Sequence, residues 1–331
     1  MVRRLCAVQA QEYPAAKWAI GLRCRGVTDR DVESAFNAGA ILRTHVLRPT
    51  WHFVDPADLR WLLALTGPRV HAQCAYGYRR FGVDAQVYRR GAAVVERELE
   101  GGRHRTRAEL GAALEAAGLT MNDPQRLAHL MIRLELDGVV CSGPRRGKQF
   151  TYARFDERVP AGAVPSRDES LVRLAGTYFT TRGPATLRDF SWWSGLTVAD
   201  ARRAVAAAGL RSDVVAGTSY WRGTGSAPRA SAAPAAHLLP SYDEYFIGFR
   251  DRSALAGRVK GKRLPPRTFW ANMIVIDGEF VGQWQRKPSA AGPALELTPV
   301  VPLSAAERKA VASAAALLAA FLELPATETT R

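Results

Sequence analysis

Hydrophobic and polar positions alternate with helical spacing in several short blocks. Each block opens on a hydroxyl residue followed three positions later by an acid: Thr28 with Asp31, Thr106 with Glu109, Thr186 with Asp189, Thr197 with Asp200, and Ser304 with Glu307. Such pairs satisfy the first free backbone N–H groups of a helix, so each one predicts a helix start. After Thr106 the pattern predicts a short amphipathic helix ending at Gly118, a second helix over 123–136, and two strands at 139–141 and 149–153 beyond Gly138. The basic turn Ser142-Gly-Pro-Arg-Arg-Gly-Lys148 joins the strands. A short helix, a longer helix and a hairpin with a basic tip predict a winged helix-turn-helix, whose second helix typically enters a major groove.

The same order recurs downstream, with helices over 186–194 and 197–208 and strands at 213–216 and 219–222. A third copy is expected nearer the N-terminus, where a helix over 31–38 precedes two strands within 41–54 that turn near Pro49. Residues 223–236 are rich in Gly, Ser, Ala and Pro and read as a flexible connection. Beyond them, strands at 272–276 and 279–286 flank Asp277-Gly278, a type I′ hairpin signal, and an Ala- and Leu-rich helix spans 304–322. The expected fold class is α+β and mostly helical, with tandem winged helix-turn-helix motifs and a small C-terminal α+β unit. The expected divisions are 1–100, 101–165, 166–223, a connection at 224–236, and 237–331.

A chain of 331 residues suits two or three such modules, because single cores stop growing near about 250 residues. With 47% hydrophobic and 23% charged residues the composition is that of a globular protein. The charge is less ordinary: 46 Lys and Arg against 31 Asp and Glu give a net +15 and an isoelectric point near 10.2. That balance points to a polyanionic partner, nucleic acid first, although a GC-rich genome also inflates Arg. Cys6, Cys24, Cys74 and Cys141 are far apart, without a CxxC pair or a nearby His, so neither a zinc site nor a disulfide framework is expected. No long apolar run or signal peptide is visible, and a cytoplasmic, membrane-free monomer without metal or cofactor is the expectation.

The N-terminal stretch Arg3-Arg-Leu-Cys-Ala-Val-Gln-Ala-Gln-Glu-Tyr-Pro-Ala-Ala resembles the start of the tandem winged-helix DNA glycosylases typified by AlkZ and YcaQ. Further landmarks follow in the family's order: Arg43-Thr-His-Val-Leu-Arg-Pro-Thr-Trp-His-Phe-Val54, Arg182-Gly-Pro-Ala-Thr-Leu-Arg-Asp-Phe-Ser-Trp-Trp193, Leu239-Pro-Ser-Tyr-Asp-Glu-Tyr245 and Val281-Gly-Gln-Trp-Gln-Arg286. The resemblance spans nearly the whole chain. It implies three winged helices around a concave basic channel, and a Gln-x-Gln or Gln-x-Asp pair that carries the chemistry, here Gln9-Ala10-Gln11. One departure stands out: only eight residues precede Gln9, where family members usually carry a further helix.

A glutamine amide is neutral, so it positions water and stabilises positive charge but does not act as a general base. That toolkit suits a leaving group already activated, as a purine alkylated at N7 is. Gln9 and Gln11 are therefore the expected catalytic pair of a monofunctional glycosylase acting on alkylated purines in double-stranded DNA, including bulky or crosslinked adducts of a DNA-alkylating natural product. The first lysine after the motif is Lys17, and a Schiff-base lyase would need an amine poised at the sugar. By pattern alone, Gln-Ala-Gln reads instead as a solvated helix end before Tyr13-Pro14, with Glu12 a lesser candidate.

His52 and Asp243 are candidates for supporting the site, His52 being otherwise structural. Of the adjacent acids Asp243 and Glu244, one is expected to face solvent, and their ordinary role would be capping or pairing with Arg250 or Arg252. Arg145, Arg146 and Lys148 on the wing, and Arg258, Lys260, Lys262, Arg263 and Arg267 before the last hairpin, are the expected phosphate contacts. Trp192, Trp193 and Trp221 are expected to pack in cores rather than stack on bases. Two competing readings have no chemistry: a winged-helix transcription regulator, and a resistance protein that sequesters a lesion without cutting.

Overall fold

The structure, a computed structural model, describes residues 1–225, 233–262, 268–287 and 294–324. The chain opens with a single helical turn α1 (Val2–Leu5), then β1 (Ala7–Gln9), α2 (Tyr13–Gly21), α3 (Asp29–Asn37), β2 (Leu42–Val46) and β3 (Arg48–Val54). Two long helices follow, α4 (Pro56–Arg80) and α5 (Ala85–Leu99). Next come β4 (Arg105–Thr106), α6 (Arg107–Ala116), α7 (Pro124–Leu136), β5 (Val140–Ser142), β6 (Thr151–Arg154) and α8 (Phe155–Arg158). The last third holds α9 (Arg167–Arg182), α10 (Leu187–Ser194), α11 (Val198–Ala207), β7 (Arg211–Val215), β8 (Thr218–Arg222), β9 (Ala236–Leu239), α12 (Glu244–Ile247), β10 (Met273–Ile276), β11 (Glu279–Lys287), β12 (Ala294–Pro299) and α13 (Ala305–Phe321). The fold class is α+β, helices carrying small antiparallel sheets, as expected.

The helix starts are where the hydroxyl–acid pairs put them. Thr106 and Ser304 close reciprocal boxes with Glu109 and Glu307, as Thr186 does with Asp189. The Thr28 N–H donates to the Asp31 carboxylate at 2.8 Å and the Asp31 N–H to the Thr28 hydroxyl at 3.2 Å, and the Thr197 hydroxyl accepts from the Asp200 N–H at 3.1 Å. The helix–helix–hairpin order is present twice, as α6–α7–β5–β6 and as α10–α11–β7–β8, within a residue or two of the expected limits. Asp277 and Gly278 both have left-handed backbones, φ 51° and 87°, which a type I′ turn between β10 and β11 requires.

The differences are equally specific. The turn between β2 and β3 falls at Leu47, φ 62°, with Pro49 inside β3. Helices α4 and α5 and strands β9 and β12 had no marker pair or clean alternation to announce them, and α9 opens on a further hydroxyl–acid pair, Ser166 with Glu169, which the expected starts did not include. Ala236, read as the end of the connection, begins β9, while residues 226–232 lie outside the described residues. Trp193 is fully buried against Tyr178, but Trp192 is 43% exposed and so is no core residue.

The chain forms two compact units, one of Val2–Val8 and Ser34–Thr224, the other of Met1, Gln9–Glu33 and Gly225–Arg331. In the larger unit the sheet β1-β3-β2 packs on Phe36, and Phe53 is buried against that ring at 6.1 Å. A second core joins Val94, Val95 and Leu99 of α5 to Leu110, Leu114, Leu130 and Leu134. An aromatic cluster of Tyr178, Phe179, Phe190 and Trp193 closes the downstream copy. The smaller unit is built on the antiparallel sheet β12-β11-β10-β9, whose β9 carbonyls accept the indole N–H groups of Trp18 (2.7 Å, Leu238) and Trp284 (2.9 Å, Leu239). Gly21 lets α2 press onto Phe321, since a Cβ there would come within 2.4 Å of the ring.

Candidate functional site

Gln9 is the last residue of β1, and Gln11 sits in the non-helical connection that follows. The pair therefore precedes a helix instead of ending one, which corrects the solvated-helix-end reading. Pro14 belongs to the first turn of α2, where a missing N–H costs nothing, and exposed Glu12 is the extended N-cap residue. Gln9 is 8% exposed and Ala10 is fully buried, while Gln11 is half-buried.

In the larger unit, the approach to the motif is held by Arg182, the buried last residue of α9. Its Nη1 donates to the Leu5 carbonyl at 3.1 Å and its Nη2 to the Ala7 carbonyl at 3.2 Å, while the guanidinium lies 4.4 Å over the Trp193 ring. Cys6, between those two carbonyls, has a left-handed backbone, φ 68°, so the chain bends sharply into β1.

In the smaller unit, the Gln9 N–H donates to the Glu244 Oε1 at 2.9 Å. Glu244 opens α12 and is 3% exposed; Asp243, the N-cap of that helix, is 0% exposed. The expectation that one of these acids faces solvent is corrected. Asp243 leaves from an extended backbone and Glu244 from the first helical position, so two consecutive side chains both reach the interior. Nor does Asp243 pair with Arg250 or Arg252. It accepts from the Tyr245 N–H at 2.8 Å and takes both Nη groups of Arg23, at 2.7 and 2.8 Å. Burial disfavours the Arg23 charge, but the Asp243 carboxylate outweighs it and holds the guanidinium pKa above its ordinary value. Arg252 donates to the Phe246 carbonyl at 2.9 Å and lies over that residue's ring at 4.3 Å.

Lys17 is buried in α2, bound to Asp29 at 2.7 Å and Glu33 at 2.9 Å, with the Tyr13 hydroxyl donating to Glu33 at 3.1 Å. His52 belongs to the larger unit and is completely buried. Its Nδ1 lies 2.9 Å from the Thr50 carbonyl and its Nε2 3.4 Å from an Arg48 Nη. Burial first, and the Arg48 charge second, hold its pKa well below the ordinary value, so the ring is neutral, Nδ1 donating to the carbonyl.

The expected phosphate-contacting residues differ among themselves. Arg145 is tied by its backbone N–H to the Asn37 Oδ1 (2.7 Å) and stacks on Phe150 at 4.9 Å. Arg43 lies over the same ring at 4.6 Å and over Trp51 at 4.2 Å. Arg146 is bound to Glu109 at 2.7 Å and to the His104 carbonyl at 2.9 Å. Lys148 is exposed beside Gly147, whose φ of 60° forms the tip. Arg258 pairs with Glu307 at 2.6 Å, Lys262 donates to the Val300 carbonyl at 3.0 Å, and Lys260 is exposed. Arg263 and Arg267 lie outside the described residues. Among the described residues, no group of three or more His, Cys, Asp or Glu is placed to hold a metal ion.

Sequence reasoning missed Glu244 as a partner of the motif, and missed Arg23 and Arg182 altogether. Glu244 and Arg182 stand in the landmark stretches ending at Tyr245 and beginning the 182–193 run; Arg23 carries no local signal, since its partner is 220 positions away.

A family model described as DNA glycosylase AlkZ-like matches residues 2–321. The interstrand DNA cross-link repair glycosylase of Streptomyces sahachiroi is 26% identical over 301 residues, covering 86% of this chain and 81% of that protein. The solved structure of the Streptomyces sahachiroi DNA glycosylase AlkZ superposes with a TM-score of 0.79 at 25% identity, over 98% of this chain and 90% of that one.

Proposed function

The chain belongs to the AlkZ-like family of DNA glycosylases, and on that premise we propose that it hydrolyses the N-glycosidic bond of N7-alkylated purines in double-stranded DNA, with Gln9 and Gln11 at the reacting centre. The observation that carries this reading is the setting of the pair. Gln9 is 8% exposed at the end of a paired strand, its backbone held by Glu244, and Gln11 stands two residues on, half-buried in a non-helical step.

Alkylation at N7 makes the purine cationic, so its bond to C1′ breaks with the electron pair leaving on a base that becomes neutral. Positive charge moves to the sugar as an oxocarbenium-like species. The amide oxygens of Gln9 and Gln11 orient a water against C1′; its oxygen bonds to the sugar and its proton passes to solvent. Preorganised dipoles supply the stabilisation, and no general base is needed for so good a leaving group. With Gln rather than Asp at position 11, the preference is for activated N7-alkylpurines, including bulky and interstrand-crosslinked adducts such as a DNA-alkylating natural product would leave. Lys17, held by Asp29 and Glu33, offers no amine to the sugar, so the product is an abasic site and the enzyme is monofunctional. The two helix–helix–hairpin copies are read as winged helices that hold the duplex, with a net charge of +15 favouring the polyanion.

Purified protein incubated with duplex DNA carrying N7-methylguanine is expected to release free base, and Gln9→Ala and Gln11→Ala to abolish release while still binding the duplex. Tight binding without release, in the wild type as in the variants, would leave only a DNA-sequestering protein. A borohydride-trapped protein–DNA adduct would overturn the monofunctional assignment.

A further inference from the structure

The smaller unit holds a pocket of about 310 Å³, at the small end of the range for ligand sites. Leu22, Leu239 and Val275 line it with apolar surface, and Arg23, His237 and Tyr245 stand around them. His237 and Leu239, two positions apart on β9, share a sheet face with Val275, which pairs with His237 from β10. The polar groups point to an uncharged ligand. Arg23 is matched by the fully buried Asp243 carboxylate at 2.7 and 2.8 Å, so an anion meets a charge already neutralised. Burial first and the Arg23 charge second lower the His237 pKa, against the pull of Asp243 and Asp277, and leave the ring neutral at neutral pH. A neutral imidazole offers one N–H and one acceptor nitrogen. The Tyr245 hydroxyl gives its proton to the Gly278 carbonyl at 2.9 Å, so towards a ligand its oxygen accepts. Apolar surface flanked by two aromatic rings, with a donor and acceptors beside it, fits a flat heterocycle whose edges carry both kinds of group. A purine base has that chemistry.

We propose that this pocket is a binding site for a free, neutral purine base, seated on Leu22, Leu239 and Val275 and hydrogen-bonded by His237 and Tyr245. The reaction read from Gln9 and Gln11 releases such a base, because the cationic N7-alkylpurine becomes neutral as its bond to C1′ breaks. Identifying the ligand as the enzyme's own product rests on that reading, whereas the ligand class rests on the pocket. The pocket and the motif share a support: Arg23 holds Asp243, the cap of α12, and the first residue of α12 takes the Gln9 N–H.

The test is ligand-observed NMR on the full chain, with free 7-methylguanine and hypoxanthine as purines, and benzoate and benzamidinium as an anionic and a cationic ring. Wild-type protein is expected to bind 7-methylguanine, and to bind the two charged rings at least about tenfold more weakly. Binding of 7-methylguanine without hypoxanthine supports a site for the enzyme's product; equal binding of both supports a site for free purines at large. His237→Leu keeps the bulk and removes both ring nitrogens, and is expected to weaken purine binding about tenfold. Tyr245→Phe keeps the ring, removes the acceptor, and is expected to weaken it about threefold. Both side chains reach solvent, and if thermal melting shows one variant to be unfolded the other decides. A wild type that binds no purine overturns the proposal, as does one that prefers a charged ring, and so does unchanged purine affinity in the folded variants. Base release from N7-methylguanine DNA, assayed alongside on the wild type, bears on the glycosylase reading alone, so the two ideas fail separately.

Discussion

Arg23 and Asp243 lie 220 positions apart and are joined by two hydrogen bonds of 2.7 and 2.8 Å, with the carboxylate wholly enclosed. Asp243 caps α12, whose first residue holds the Gln9 N–H, so this ion pair secures the helix that holds the motif. Arg23→Ala is expected to cost about 3–5 kcal/mol of unfolding free energy, because it strands a buried charge. Chemical denaturation measures it. A loss under about 1 kcal/mol would mean that the carboxylate finds other compensation.

His52 makes stability depend on pH. Its folded-state pKa lies well below the ordinary 6.5, so between those two values the unfolded chain takes a proton that the folded chain refuses. The stabilisation is fully present above pH 6.5 and is lost as the pH falls toward the folded value. Unfolding free energy should drop between pH 7 and pH 5 by up to about 1.4 kcal/mol per pH unit from this group. His52→Gln should show the shallower acid slope; equal slopes would mean that His52 takes up its proton without unfolding.

Gly278 has a φ of 87°, and a Cβ there would lie 2.8 Å from the Tyr245 hydroxyl, which donates to the Gly278 carbonyl at 2.9 Å. Gly278→Ala combines a left-handed backbone with a clash and is expected to cost about 1–3 kcal/mol. A melting temperature equal to that of the wild type would show that the turn relaxes without strain.

Lys148 and Arg146 share the β5–β6 turn but not their surroundings. Both are exposed, but Arg146 is bound to Glu109 and to the His104 carbonyl. If the turn meets phosphate, Lys148→Ala should weaken duplex binding and lower the slope of log affinity against log salt by about 1. Arg146→Ala should change that slope less and stability more. Unchanged salt dependence in the Lys148 variant would remove the turn from the DNA contact surface.

The local chemistry of this chain was legible because it is written in neighbouring residues. A hydroxyl and an acid three positions apart marked the helix starts at Thr106, Thr186, Thr197 and Ser304, and Asp277-Gly278 turns a hairpin because few other pairs tolerate two left-handed backbones. The candidate pair Gln9 and Gln11 was legible as residues in a landmark stretch, but their setting was not. Whether an amide ends a helix in water or a strand in the interior is decided by what packs over it, and no local pattern encodes Arg182 at the Ala7 carbonyl or Glu244 at the Gln9 N–H. The inward turn of both Asp243 and Glu244, the neutrality of His52 and the commitment of Lys17 to Asp29 and Glu33 likewise depend on burial and on partners brought from elsewhere. Propensity and capping act over three or four residues, so sequence alone determined the capped helix starts and the hairpin turn; desolvation and charge pairing act through space, so only the tertiary structure decided what each polar side chain does.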